Sequence, residues 1–82
     1  MIEIKYTKKA GKSLNSLERI TKNRIIQGIN NLPLGDIKHL QGYNGMYRLR
    51  VGDFRVIFSM DTEEDIIIIR DILPRGEAYK RY

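Results

Sequence analysis

Residues 47–58, YRLRVGDFRVIF, limit the fold more than any other part of the sequence. Tyr47, Leu49 and Val51 place an apolar side chain at every second position, and after Gly52-Asp53 the alternation resumes with Phe54, Val56 and Phe58. Two period-two runs joined by a Gly-Asp pair predict a β-hairpin with a two-residue loop. In that register Val51 faces Phe54, Leu49 faces Val56 and Tyr47 faces Phe58, which makes one face of the hairpin apolar. The other face sets Arg50 directly across from Arg55, with Arg48 beside Ile57. Like charges directly opposite each other on a sheet are unfavourable, by up to about 1 kcal/mol. A surface that carries this cost is suited to an anion.

The flanking sequence supplies what the apolar face packs against. Residues 2–6, IEIKY, alternate and predict a first strand. Thr7 is placed to cap a helix over residues 8–19, with Ala10, Leu14 and Leu17 at helical spacing. Thr21 is placed to cap a second helix, in which Ile25, Ile26, Ile29 and Leu32 form one stripe ending near Asn30-Asn31. The short break between them predicts an antiparallel helical hairpin. Residues 33–45, punctuated by Pro33, Gly35, Gly42 and Gly45, read as a long loop. After the hairpin, residues 61–65 (DTEED) form an acidic turn. Ile66-Ile67-Ile68-Ile69 then begins a strand covered on both faces, which Pro74 ends. RGEAYKRY closes the chain as a polar tail or one last helical turn. The expected order is β-α-α-β-β-β. It describes an α+β fold, with a twisted, mainly antiparallel four-stranded sheet and an N-terminal helical hairpin packed on one face. Residues 1–82 are expected to form a single domain, with the face of Arg48, Arg50 and Arg55 open to solvent.

At 82 residues the chain has room for only a modest core, and its net charge of +5 favours a polyanionic partner over no partner. It has no cysteine, so disulfides, a thiol nucleophile and thiolate metal sites are excluded. No apolar run approaches the ~20 residues of a membrane span, and MIEIKYTKK has no signal-peptide core, so a cytoplasmic location away from membranes is expected. Basic residues concentrate in the second half, as Arg48, Arg50, Arg55, Arg70, Arg75, Lys80 and Arg81, and are interleaved with Tyr43, Tyr47, Tyr79 and Tyr82. Guanidiniums that fork onto phosphate and tyrosines that stack on bases are a means of gripping single-stranded nucleic acid, RNA in particular. The bland reading is a solvated sheet face with tyrosines as edge packing. His39, the lone histidine, sits in the glycine-rich stretch, where it is expected to lie near the nucleic-acid path rather than to act as a base. Asp61, Glu63, Glu64 and Asp65 read as a solvated turn, not a metal site.

The segment Tyr47-Arg48-Leu49-Arg50-Val51-Gly52-Asp53-Phe54-Arg55-Val56 resembles the Y-R-[LI]-R-x-G-[DN]-[YF]-R-[VI] hairpin of the RelE/ParE superfamily of toxin–antitoxin toxins, RelE-like mRNA interferases in particular. Upstream, Lys38-His39-Leu40-Gln41-Gly42 resembles that family's K-x-L-x-G segment. Downstream, Arg75 followed by Tyr79 resembles its C-terminal pair, the feature that points to ribonuclease. The resemblance implies a toxin that enters the 30S A site of the ribosome and cleaves mRNA by attack of the 2′-hydroxyl on the adjacent phosphate. It implies neither metal nor cofactor. By position, Arg48, Arg50, Arg55, Arg75 and Tyr79 are the implied catalytic residues: two basic strand residues that hold phosphate, an arginine on the scissile phosphate, a C-terminal arginine at the leaving oxygen and a tyrosine that stacks on the nucleotide. Lys38, Tyr47, Arg70, Lys80 and Arg81 are the further candidate RNA-binding residues. Well-known members often carry lysine where this chain has Arg48 and Arg50. A guanidinium stays protonated at neutral pH and does not serve as a base, so the proton acceptor stays open between a tyrosine, a ribosomal or RNA group, and water.

The same hairpin is shared with ParE-like inhibitors of DNA gyrase, which is the alternative target. A non-catalytic basic binding module is the third possibility. Either toxin reading implies a cognate antitoxin that lays an extended or helical segment on the basic surface.

Overall fold

Period-two patterning becomes a five-stranded sheet in the computed structural model, which describes residues 2–82. The elements are β1 (Glu3–Tyr6), α1 (Lys8–Asn15), α2 (Arg19–Asn30), β2 (Asp36–His39), β3 (Met46–Val51), β4 (Phe54–Asp61), β5 (Ile66–Pro74) and α3 (Arg75–Arg81). The strands lie in the order β1-β5-β4-β3-β2, with β1 parallel to β5 and every other pair antiparallel. The α+β fold is as the sequence predicts. The strand count is five rather than four, because the stretch expected to be one long loop holds β2. The glycines that suggest a loop are real turns at positive φ, Gly35 (+123°), Gly42 (+84°) and Gly45 (+70°), and they flank β2. That strand is short and mostly exposed, so only Ile37 marks it as apolar.

The hairpin forms in the expected register, with Tyr47 opposite Phe58, Leu49 opposite Val56, Arg50 opposite Arg55 and Val51 opposite Phe54. Gly52 takes φ +58°, as suits glycine at the first loop position of a two-residue hairpin turn. Leu49, Val56, Phe58, Ile67 and Ile69 pack with Ala10 and Leu14 of α1 and Ile25 and Ile29 of α2 in the main core. Thr7 caps α1, its hydroxyl accepting the Ala10 N–H at 3.1 Å. α1 ends at Asn15, earlier than the predicted 19, and Glu18 in extended backbone starts α2. Thr21 therefore lies inside the first turn of α2, where its hydroxyl donates to Glu18 Oε1 at 3.3 Å. The apolar stripe from Ile25 onward fits either starting point, which is why spacing alone misplaces the cap.

A β-bulge sets the second half of β5. Phe58 pairs with Ile69 and Ile57 with Asp71, so Arg70 is the extra residue. Strict alternation from Ile67 and Ile69 would turn Asp71 into the helix-covered core. The bulge shifts the phase, which sends Ile72 into that core and leaves Asp71 on the opposite face beside Ile57. There a second cluster forms from Leu40, Ile57, Leu73 and Ala78, with Met46 and Tyr82 packed against it. Ala78 and Tyr82 bring α3 onto the face expected to be open. The correction has a simple cause: Ile57 and Leu73 give that face an apolar centre between its arginines, and water is a poor neighbour for it.

Candidate functional site

Three elements deliver guanidiniums to one place. β3 and β4 hold Arg48 and Arg55 on the face away from α1 and α2, and α3 begins with Arg75 immediately after Pro74 ends β5. Together with Leu40, Ile57, Ala78, Tyr79 and Tyr82 they line a cavity of about 290 Å³. That is near the lower end of the ~300–1,000 Å³ typical of small-molecule sites. Its floor is apolar and its rim is cationic.

The hairpin turn fixes two of these arginines through its carbonyls. Arg55 Nη1 donates to Gly52 O at 3.0 Å and to Phe54 O at 2.9 Å, and the Arg75 backbone N–H donates to Asp53 O at 2.8 Å. Arg55 is only 9% exposed. Burial, and then the charges of Arg48, Arg50 and Arg75, lower its pKa from the ordinary arginine value, with Asp36 acting the other way. A buried guanidinium among three others is electrostatically unfavourable, and an oxyanion bound beside it relieves the repulsion.

The remaining sequence-derived residues divide by face. Arg50 is exposed, lies 4.0 Å from Asp36 Oδ2 and lines the neighbouring groove toward Gly28 and Leu34 rather than the cavity. Lys38 pairs in register with Arg48 and shares its face, at the sheet edge. Arg70 reaches Ser59 Oγ at 3.0 Å, and Lys80 and Arg81 are exposed on α3. Tyr79 is 88% exposed at the cavity mouth, a ring free to stack. Tyr47 is not brought to this site: it stacks on Phe58 against the main core, with ring centroids 5.6 Å apart. His39 lies on β2 rather than in a loop, edge-on to Tyr47 at 5.3 Å, so sheet parity puts it on the face opposite the arginines. The acidic turn is closed by its own backbone, with Asp61 Oδ1 accepting the N–H groups of Glu63 and Glu64.

Four cavity residues, Leu40, Ile57, Ala78 and Tyr82, lie outside the catalytic and RNA-binding sets expected from the sequence. Leu40 and Tyr82 belong to it because α3 folds back over the sheet. Tyr43 helps hold α3 there, packing on the Tyr82 ring at 5.6 Å and donating its hydroxyl to Arg81 O at 3.4 Å.

The family model described as the ParE toxin of the type II toxin–antitoxin system parDE matches residues 4–79. The chain belongs to the RelE/ParE superfamily of toxins. Its fold is similar to that of a chain in the crystal structure of the archaeal RelE–RelB complex from Pyrococcus horikoshii OT3, with TM-score 0.78 and 30% identity over 92% of this chain and 96% of that one. The RelB–RelE antitoxin–toxin complex from Methanococcus jannaschii is also 30% identical, with TM-score 0.75 over 95% of this chain and 98% of that one. Toxin RelE3 of Methanocaldococcus jannaschii is 41% identical over 51 residues, 62% of this chain and 54% of that protein. The match thus spans about half the length of that curated relative. Among the described residues, no helix of this superfamily member is long and apolar enough to cross a membrane.

Proposed function

We propose that this toxin, as a single domain over residues 1–82, is a metal-independent endoribonuclease that cleaves mRNA in the ribosomal A site and so halts translation. The observation that carries the reading is the convergence of Arg48, Arg55, Arg75 and Tyr79 on one cavity. In-line attack of a 2′-hydroxyl on the adjacent phosphate passes through a phosphorane with extra negative charge. Clustered guanidiniums stabilise that charge without reorganising. Arg55, held by the Gly52 and Phe54 carbonyls, grips the scissile phosphate. Arg48 and Arg50 hold the flanking backbone, Arg75 faces the leaving 5′-oxygen, and Tyr79 stacks on the base. Lys38, Arg70, Lys80 and Arg81 extend the cationic track, whereas Tyr47 plays no part in it.

Primer extension on a translated mRNA after induction tests this reading: cuts within codons are expected, and Arg55→Ala or Arg75→Ala abolishes them. Intact mRNA during growth arrest defeats it. The ParE family-model match favours a second reading, inhibition of DNA gyrase, for which cleaved DNA and an SOS response would appear instead. A binder without chemistry would leave both nucleic acids whole. The partner is a cognate antitoxin, supported by the complexes in which the two archaeal relatives were solved. Charge reversal at several of the arginines should weaken that complex.

A further inference from the structure

The guanidiniums of the cavity offer no base for the attacking hydroxyl, because each keeps its proton at neutral pH. His39 is on the wrong face, and the Asp36 carboxylate lies outside the cavity against Arg50. The cavity has another polar wall. Tyr82 lines it beside Arg48, Arg55 and Arg75, and the Tyr82 hydroxyl donates to Asp71 Oδ2 at 3.3 Å. Asp71 sits on β5 in register with Ile57, which is itself in register with Arg48, so one row across the sheet runs from the arginine to the carboxylate. The Asp71 side chain is 4% exposed, and Lys9 Nζ of α1 reaches the same oxygen at 3.1 Å. The β-bulge at Arg70 is what delivers this carboxylate to the functional face.

Resting on the ribonuclease reading, we infer that Tyr82 is a further catalytic residue whose oxygen takes the proton of the attacking 2′-hydroxyl while its own proton passes to Asp71. The 2′-oxygen forms its bond to phosphorus as the bond from phosphorus to the 5′-oxygen breaks, giving a 2′,3′-cyclic phosphate. The 5′-oxygen takes a proton from water, and Asp71 then returns its proton to solvent. Tyr82 is never a phenolate in this relay, which agrees with burial and the Asp71 carboxylate both holding its pKa above the ordinary tyrosine value. Lys9, left without its counter-charge while Asp71 is protonated, is solvent-exposed enough to be stabilised by water.

Cleavage of programmed-ribosome mRNA by the purified protein tests the relay, comparing wild type with Tyr82→Phe, Asp71→Asn and Asp36→Asn. The amide introduced by Asp71→Asn still offers an oxygen to the Tyr82 hydroxyl, so α3 stays docked, and thermal melting checks this. Tyr82→Phe and Asp71→Asn should each lower kcat by ~10²-fold or more, the usual scale of general-base catalysis, with KM little changed. A wild-type kcat in either variant, an effect on KM alone, or a loss confined to Asp36→Asn overturns the inference. Wild-type protein that leaves the mRNA whole removes the ribonuclease reading itself and the relay with it.

Discussion

Gly52 does two things at one position. Its φ of +58° lets the chain turn in two residues, and its carbonyl accepts one of the two hydrogen bonds that hold Arg55. A β-branched side chain there faces the left-handed penalty of roughly 1–2 kcal/mol, so Gly52→Val should lower the melting temperature and loosen Arg55, with a cleavage defect larger than the stability loss predicts. Gly52→Asn, which tolerates that φ, should recover most of both. Tyr82 supplies a pH test. Its pKa is raised in the folded chain, first by burial and then by Asp71, so the protonated phenol is the form the fold favours. The contribution is present below the ordinary value of 10.0 and is lost as pH rises through the folded value. Melting curves from about pH 9 upward should fall more steeply for wild type than for Tyr82→Phe. Of the individual residues, Arg48, Arg55, Arg75 and Tyr79, which the structure gathers on one cavity, are named by a sequence motif. Tyr82 and Asp71 are not, since each gains its place from a contact far along the chain.

At the scale of elements, α2 sits so close to β3 that a Cβ on Gly28 would lie 2.9 Å from Val51 Cγ2. Val51 is stiff at χ1, so Gly28→Ala must push helix and strand apart, and a loss of about 1–3 kcal/mol in denaturant unfolding is expected despite alanine's better helix propensity. α3 is attached through a smaller contact, with Ala78 on Ile57 and Leu73. Ala78→Asp should release it, removing mRNA cleavage while far-UV circular dichroism retains the sheet and the larger helices. The hairpin can be read from its alternation because one face is core and the other is not. β2 cannot, because a short exposed edge strand has almost no pattern to read. The bulge at Arg70 is equally hidden: four consecutive isoleucines look the same in either phase, and only packing decides which of Asp71 and Ile72 turns inward. For α3, the sequence does not decide between tail and helical turn, because its apolar anchors are few and lie on the far face.

Over the whole molecule, a net charge of +5 and a sheet face of guanidiniums mean that, under the proposed function, affinity for single-stranded RNA should fall with salt. The slope of log K against log salt should be near −0.7 for each phosphate neutralised, and Arg48→Gln or Lys38→Gln should make it shallower by about one such step. The four-stranded expectation misses β2, yet the placement of arginines opposite α1 and α2 survives, because parity within the hairpin does not depend on what lies beside it. The face-to-face pair Arg50 and Arg55 has one more consequence. Without an anion the free toxin carries that repulsion as a standing handicap, so whatever occupies the face, RNA or an acidic protein segment, also acts as a stabiliser. By mass action a ligand at a hundred times its Kd adds about 2.7 kcal/mol. Heat resistance then becomes a gauge of occupancy, one that reports on candidate partners without a ribosome in the tube.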